Sequence, residues 1–197
     1  MGSAGSAVAI LGVDRRDGAM ASDFQRGKVA GVFAAMDEDS RGFLIERDFA
    51  SLAQRWTTLR GLEPGTDQYE RLREIMLGWW ASLRTAAGGR DRVTLDDVMA
   101  LVDQLPTMVD AVTGTADAMF EAIDENSDGE LSPAEYRQLI TAWTGQDANV
   151  DEIFPLLDLN SDGHISLDEF RRLWTQFWAG DDPAAPGTWV FGRYRVG

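Results

Sequence analysis

The chain has 197 residues and a mass of 21.7 kDa, room for one large domain or two small ones. Its 33 acids against 18 Lys+Arg leave a formal charge of −15, a surface that repels phosphate and so argues against nucleic acid and anionic membranes as partners. Cysteine is absent and His164 is the single histidine, which excludes disulfides, thiolate zinc sites, iron–sulfur clusters and cysteine nucleophiles and removes most histidine-dependent hydrolase schemes.

In chain order, Ala7 to Val13 is a short apolar run with no positive charge before it and two arginines after it. A secretory leader has the opposite order, so residues 1–21 are expected to be a flexible start and the cytoplasm is the default compartment. No stretch approaches the roughly 18 apolar residues of a membrane span. Ser22 reads as the N-cap of a helix carrying Phe24, Lys28, Val32 and Phe33 and ending near Met36. A helix is expected over 48–62, with Phe49, Leu52, Trp56 and Leu59 on one face and Gly61, Pro64 and Gly65 closing it. The next runs from about Asp67 to Ala87, with Tyr69, Leu72, Ile75, Met76, Trp79, Trp80 and Leu83 as its stripe. Thr94-Leu-Asp-Asp opens another helix with acids in its first turn, which suits the dipole. The join over 98–112 is apolar and is expected to be packed. Ser132-Pro-Ala-Glu and Ser166-Leu-Asp-Glu are capping boxes. Pro133 occupies the tolerated first helical position, whereas Pro155 should kink or shorten its helix. After the turn-rich Gly180 to Pro186, the apolar Trp189, Val190, Phe191 and Tyr194 are expected to fold back near Trp174 and Phe177.

Self-similarity organises these elements. Phe120 to Ile140 aligns without a gap on Phe154 to Trp174, 34 residues later. Phe33 to Ala53 is a third copy, and a fourth, eroded one centres on Val93. Each complete copy holds D-x-N-x-D-G-x-x-x-x-x-E between helices, the spacing of the EF-hand calcium loop. Places one, three and five aim oxygens at one point, and glycine at six makes the sharp turn. Place seven offers its carbonyl, place nine acts through water, and the acid at twelve closes over the ion.

Asp124, Asn126, Asp128, Glu130 by its carbonyl, Ser132 and Glu135 satisfy every place, as do Asp158, Asn160, Asp162, His164 by its carbonyl, Ser166 and Glu169. The loop before them offers Asp37, Asp39, the Phe43 carbonyl and Asp48. Arg41 stands at place five, where at most its backbone could serve, because a guanidinium cannot ligate. Place twelve is the shorter Asp. This loop is therefore expected to be a weaker, magnesium-tolerant site. The eroded copy has Ala86, Gly88 and Arg90 at places one, three and five, or Ala87, Gly89 and Asp91 if one residue is deleted; neither register supplies three oxygens, so it is expected to hold no ion. It survives to pair with the first loop through Leu44 and Val93. The seven tryptophans read as core, and no residue reads as catalytic.

On these loops the chain resembles the sarcoplasmic calcium-binding protein family, including its prokaryotic relative calerythrin. The resemblance covers about residues 22–192. It rests on the four-unit layout, the long spacing between the first two units, the eroded second loop and the segment DDPAAPGTWVFG. It implies an all-α fold: four EF-hand units in two pairs, about 22–104 and 105–179, packed into one body with short β contacts between paired loops. A tail over 180–197 would fold back onto that body. The expected role is an intracellular calcium buffer, monomeric and not an enzyme, holding two Ca²⁺ tightly and a third weakly. The alternatives are a sensor that exposes an apolar groove to a protein target and, more remotely, a hydrophobic-ligand carrier like the photoproteins that share the layout.

Overall fold

The computed structural model describes residues 21–145 and 149–192; the expectations for the start of the chain and for Tyr194 fall outside these. The described residues form eight helices: α1 (Asp23–Met36), α2 (Glu46–Leu59), α3 (Asp67–Ala86), α4 (Leu95–Val102), α5 (Val109–Ile123), α6 (Pro133–Thr144), α7 (Phe154–Leu157) and α8 (Leu167–Trp178). Four two-residue strands lie between them: β1 (Phe43–Leu44), β2 (Val93–Thr94), β3 (Glu130–Leu131) and β4 (Ile165–Ser166).

Side-chain chemistry sets most of the helix starts. Ser22, Thr66, Thr94, Ser132 and Ser166 each accept an N–H from the first turn of their helix. The helix expected over 48–62 starts two residues earlier, because the Asp48 carboxylate reaches back to the Ile45 N–H at 2.8 Å. It stops three residues sooner, where left-handed Gly61 lets the Leu62 N–H close on the Thr57 carbonyl at 2.9 Å. Pro155 has the expected effect: α7 is a single turn.

The strands pair antiparallel as two miniature sheets, with Leu44 opposite Val93 and Leu131 opposite Ile165. Each sheet ties one loop to its partner and fixes two helix–loop–helix units as a pair. The pairs share one core. α2 and α1 pack on α6, α3 on α5, and α1 on α8. Trp56, Trp80, Trp143 and Trp174 are buried in it, and Trp79, Trp178 and Trp189 pack partly buried against it. In the join, Val98, Met99, Val102 and Val112 are buried while Val109 is exposed.

A short 3₁₀ turn (Pro186–Trp189) brings the chain back across α8. Val190 and Phe191 are buried, and the Phe191 ring lies 4.8–5.9 Å from those of Trp143, Trp174, Phe177 and Trp178. The Tyr136 hydroxyl donates to the carbonyls of Trp189 and Val190 at 3.1 and 3.3 Å. Burial pushes the Tyr136 phenol above its ordinary range. From the other side, Gln25 and Lys28 of α1 donate to the carbonyls that end α8: Gln25 to Phe177 and Trp178, Lys28 to Gln176, Phe177 and Gly180.

Candidate metal centre

The two C-terminal loops are near copies in geometry. Place four is left-handed, at Ser127 (φ 57°) and Ser161 (φ 62°), and so is place six, at Gly129 (φ 84°) and Gly163 (φ 93°). These two reversals curl the loop around its own place-one carboxylate. Asp124 accepts the N–H groups of Asp128 and Gly129 at 3.2 and 3.0 Å, and Asp158 those of Asp162 and Gly163 at 3.2 and 2.8 Å. Place three is tied to place five: Asn126 Nδ2 donates to Asp128 Oδ2 and Asn160 Nδ2 to Asp162 Oδ2, both at 2.7 Å. Hydrogen bonds from the His164 N–H and then the Asn160 amide hold the Asp162 carboxyl below its ordinary range.

Place twelve has two tasks. Glu135 Oε2 accepts the Ser132 N–H and hydroxyl at 2.8 and 2.7 Å, while Oε1 accepts the Glu125 N–H at 2.9 Å. Glu169 does the same with Ser166 at 2.9 and 2.7 Å, and with the N–H groups of Leu159 and Asn160 at 3.1 and 3.2 Å. The capping box thus carries the closing acid back over the loop, so one side chain ends the strand, starts the helix and faces the cavity. Among the described residues no three acidic or histidine side chains stand close enough to share an ion. The donor set nonetheless fits a hard cation: carboxylate, amide and carbonyl oxygens, with no sulfur and no ring nitrogen turned inward. His164 is half exposed, its Nδ1 3.7 Å from the exposed Glu130 carboxylate on the paired loop.

The first loop keeps the backbone and changes the contents. Ser40 (φ 51°) and Gly42 (φ 78°) repeat the two reversals, and Asp37 accepts the N–H groups of Arg41 and Gly42 at 2.9 and 2.6 Å. The Arg41 side chain is not turned out to solvent. Its Nη2 donates to Asp48, its Nε lies 3.5 Å from Asp37, and its Nη1 lies 3.9 Å from Asp39. The carboxylates at places one, three and twelve therefore gather round a guanidinium. Sequence reading has Arg41 as a missing oxygen at place five; the structure adds that its guanidinium lies among the carboxylates of the loop.

The second loop has a different backbone. Gly88 and Gly89 are left-handed because they end α3, the Gly89 N–H closing on the Arg84 carbonyl at 2.8 Å. At place five, Arg90 donates to Asp97 at place twelve and, through Nε, to the Ala87 carbonyl at 2.8 Å. The same spacing, Arg-x₆-Asp, occurs in both N-terminal loops, at Arg41…Asp48 and Arg90…Asp97, but it does not by itself say where the guanidinium settles. The contacts of Gln25 and Lys28 had no such signal, since their partners lie about 150 residues away.

Four helix–loop–helix units paired through place-eight β contacts, the last two with oxygen-lined loops, define an EF-hand calcium-binding protein. A family model described as an EF-hand domain pair matches residues 115–175. The sarcoplasmic calcium-binding protein of Hediste diversicolor is 30% identical over 118 residues, which are 58% of this chain and 67% of that protein. The chain belongs to the sarcoplasmic calcium-binding protein family. Solved structures share the fold, two of them as follows. The calcium-loaded coelenterazine-binding protein of Renilla muelleri gives a TM-score of 0.66 at 21% identity, covering 87% of this chain and 99% of that one. The sarcoplasmic calcium-binding protein of amphioxus gives 0.65 at 18% identity, covering 89% and 100%.

Proposed function

We propose that the protein is a calcium buffer that holds two ions in its C-terminal pair and has no catalytic role. Asp124, Asn126, Asp128, the Glu130 carbonyl and Glu135 would hold one ion. Asp158, Asn160, Asp162, the His164 carbonyl and Glu169 would hold the other. The ion supplies the positive charge that each acid-lined loop lacks, and the protein supplies the oxygens and the strand pair that keeps the two loops in register.

The observation that carries the buffer reading is the returning tail. A sensor works by opening an apolar groove between its helices to a partner. Here Val190 and Phe191 already fill the surface between α6 and α8, and Tyr136 holds their backbone. The same rings weigh against a ligand carrier, because the aromatic interior is packed against itself. The test is binding of a hydrophobic dye to the full chain in chelator and in calcium, under conditions where both forms are folded. A buffer binds little dye in calcium and gains none on loading. A rise in dye binding on loading would move the protein to the sensor class.

A further inference from the structure

We propose that the first loop carries its own cation: the Arg41 guanidinium takes the place an ion would have, joins Asp37 to Asp48, and keeps the N-terminal pair closed with no calcium or magnesium bound there. This rests on the reading of loops three and four as the ion sites and adds where ions do not go. Three observations support it. The backbone of loop one already has the two left-handed reversals of the C-terminal loops and curls around the Asp37 carboxylate in the same way. The filling group touches the carboxylates at places one and twelve, the two that in the other loops are bridged by no side chain. And the lock is enclosed: the Asp37 side chain is 5% exposed, that of Asp48 10% and that of Arg41 22%. A buried carboxylate needs a partner, and a planar guanidinium with several N–H groups satisfies two at once.

The arginine also denies the site to an incoming ion. Calcium wants six to eight oxygens. In loop one a ligand is missing at place five, and the two best carboxylates face a cation that cannot lose its charge. Entry requires the guanidinium to leave, uncovering a buried pair. In the second loop Arg90 makes the same five-to-twelve link to Asp97, so both members of the N-terminal pair are closed by arginine. Arg92 and Arg41 both stack on Phe43, 4.7 and 5.6 Å from its ring, which places a third guanidinium beside the strand pair.

The place-six amides supply a test that needs no variant. Gly42, Gly129 and Gly163 each donate to the place-one carboxylate of their loop, so each amide resonance reports whether that carboxylate takes an ion. In a calcium titration of the stripped full chain, the Gly129 and Gly163 resonances should move and the Gly42 resonance should stay. Calorimetry should count two ions for the natural chain and three for Arg41→Asp, with the third lost again when Asp48→Asn is added. A moving Gly42 resonance, or a third ion in the natural chain that Asp48→Asn removes, would overturn the proposal. So would an unchanged count of two in Arg41→Asp and in Arg41→Asp with Asp48→Glu. Failure of the underlying reading looks different: Gly129 or Gly163 would then stay still.

Discussion

The N-terminal and C-terminal loop pairs have the same plan and opposite electrostatics. In the C-terminal pair the ligand carboxylates of each loop are met by neutral groups of their own loop, backbone N–H groups with the Asn126 and Asn160 amides and the Ser132 and Ser166 hydroxyls. In the N-terminal pair an arginine at place five answers the acid at place twelve in both loops. On the proposed reading, one half owes its closure to a ligand from solution and the other to its own sequence. The two are joined by a shared core and by Gln25 and Lys28, which grip the end of α8. If the proposal holds, the N-terminal half gives the C-terminal half a fixed wall to fold against.

Removing calcium gives the largest effect. An ion that binds only the folded form stabilises it by RT ln(1 + [L]/Kd), about 4.1 kcal/mol per site at a thousandfold excess over Kd. In chelator the melting transition should fall well below that in calcium, and hydrogen exchange should quicken first in α5 to α8 and last in α1 to α4. Equal melting in both conditions would remove the contrast between the halves. Exchange that quickens uniformly would show that the core couples them into one unit.

Single ligand changes should come next. Glu135→Gln and Glu169→Gln each discard a charged two-oxygen donor while leaving a side chain able to accept in the capping box. Each should remove one ion from the calorimetric count and leave the secondary structure by circular dichroism intact. Two ions retained in either variant would mean that place twelve is a helix cap and no more.

How much of this was visible in the sequence depends on how local the cause is. Ser22, Thr94, Ser132 and Ser166 announced helix starts because a cap and its target lie within one turn. Leu44 and Val93 announced their pairing because place eight is fixed by loop spacing. Pro155 announced a stunted helix because the ring acts on its own turn. Arg41 was legible as a missing oxygen but not as an occupant, since spacing says which residue stands at place five and nothing about where a long flexible side chain settles. Gln25 and Lys28 were silent for a different reason. Lys28 falls at helical spacing between Phe24 and Val32, but only the crossing of α1 with the end of α8 gives it and Gln25 carbonyls to hold.

Displacing the tail should cost less than losing an ion. Truncation after Ala179 exposes the surfaces under Val190 and Phe191, each worth about 1.5–3 kcal/mol when fully buried. Gly187→Ala should act in the same direction without shortening the chain. Its Cβ would stand 2.2 Å from the Leu173 carbonyl oxygen and 2.6 Å from the Gln176 Cβ, and helical backbone does not give way by that much. Both variants should bind hydrophobic dye in calcium, melt earlier and keep two ions. A variant that melts normally and binds no dye would show that the tail rests on the body without plugging it.

The smallest effect is a pH profile, and the composition makes it clean. Lys28 is the only lysine in the chain, so above neutral pH the side chains that titrate before the arginines are Lys28 and three tyrosines. Burial lowers the Lys28 ammonium from 10.5 to about 8, with the nearby Asp181 carboxylate opposing the shift. Between about pH 8 and 10.5 the unfolded chain then holds a proton that the folded chain has released, so stability should rise with pH across that window. Tyr136 works the other way. Burial raises its phenol above the unfolded value of 10.0, so the stability it contributes is complete below that pH and is lost as the unfolded chain ionises above it. Denaturant unfolding of the calcium-loaded protein should therefore show stability climbing from pH 8 to about 10 and turning down beyond. Lys28→Met should flatten the climb, and Tyr136→Phe should remove that residue's share of the downturn. A natural chain whose stability only falls above pH 8 would mean that the three carbonyls of Gln176, Phe177 and Gly180 hold the ammonium charged. Lys28 would then belong, like Arg41, to the cations the fold keeps inside itself.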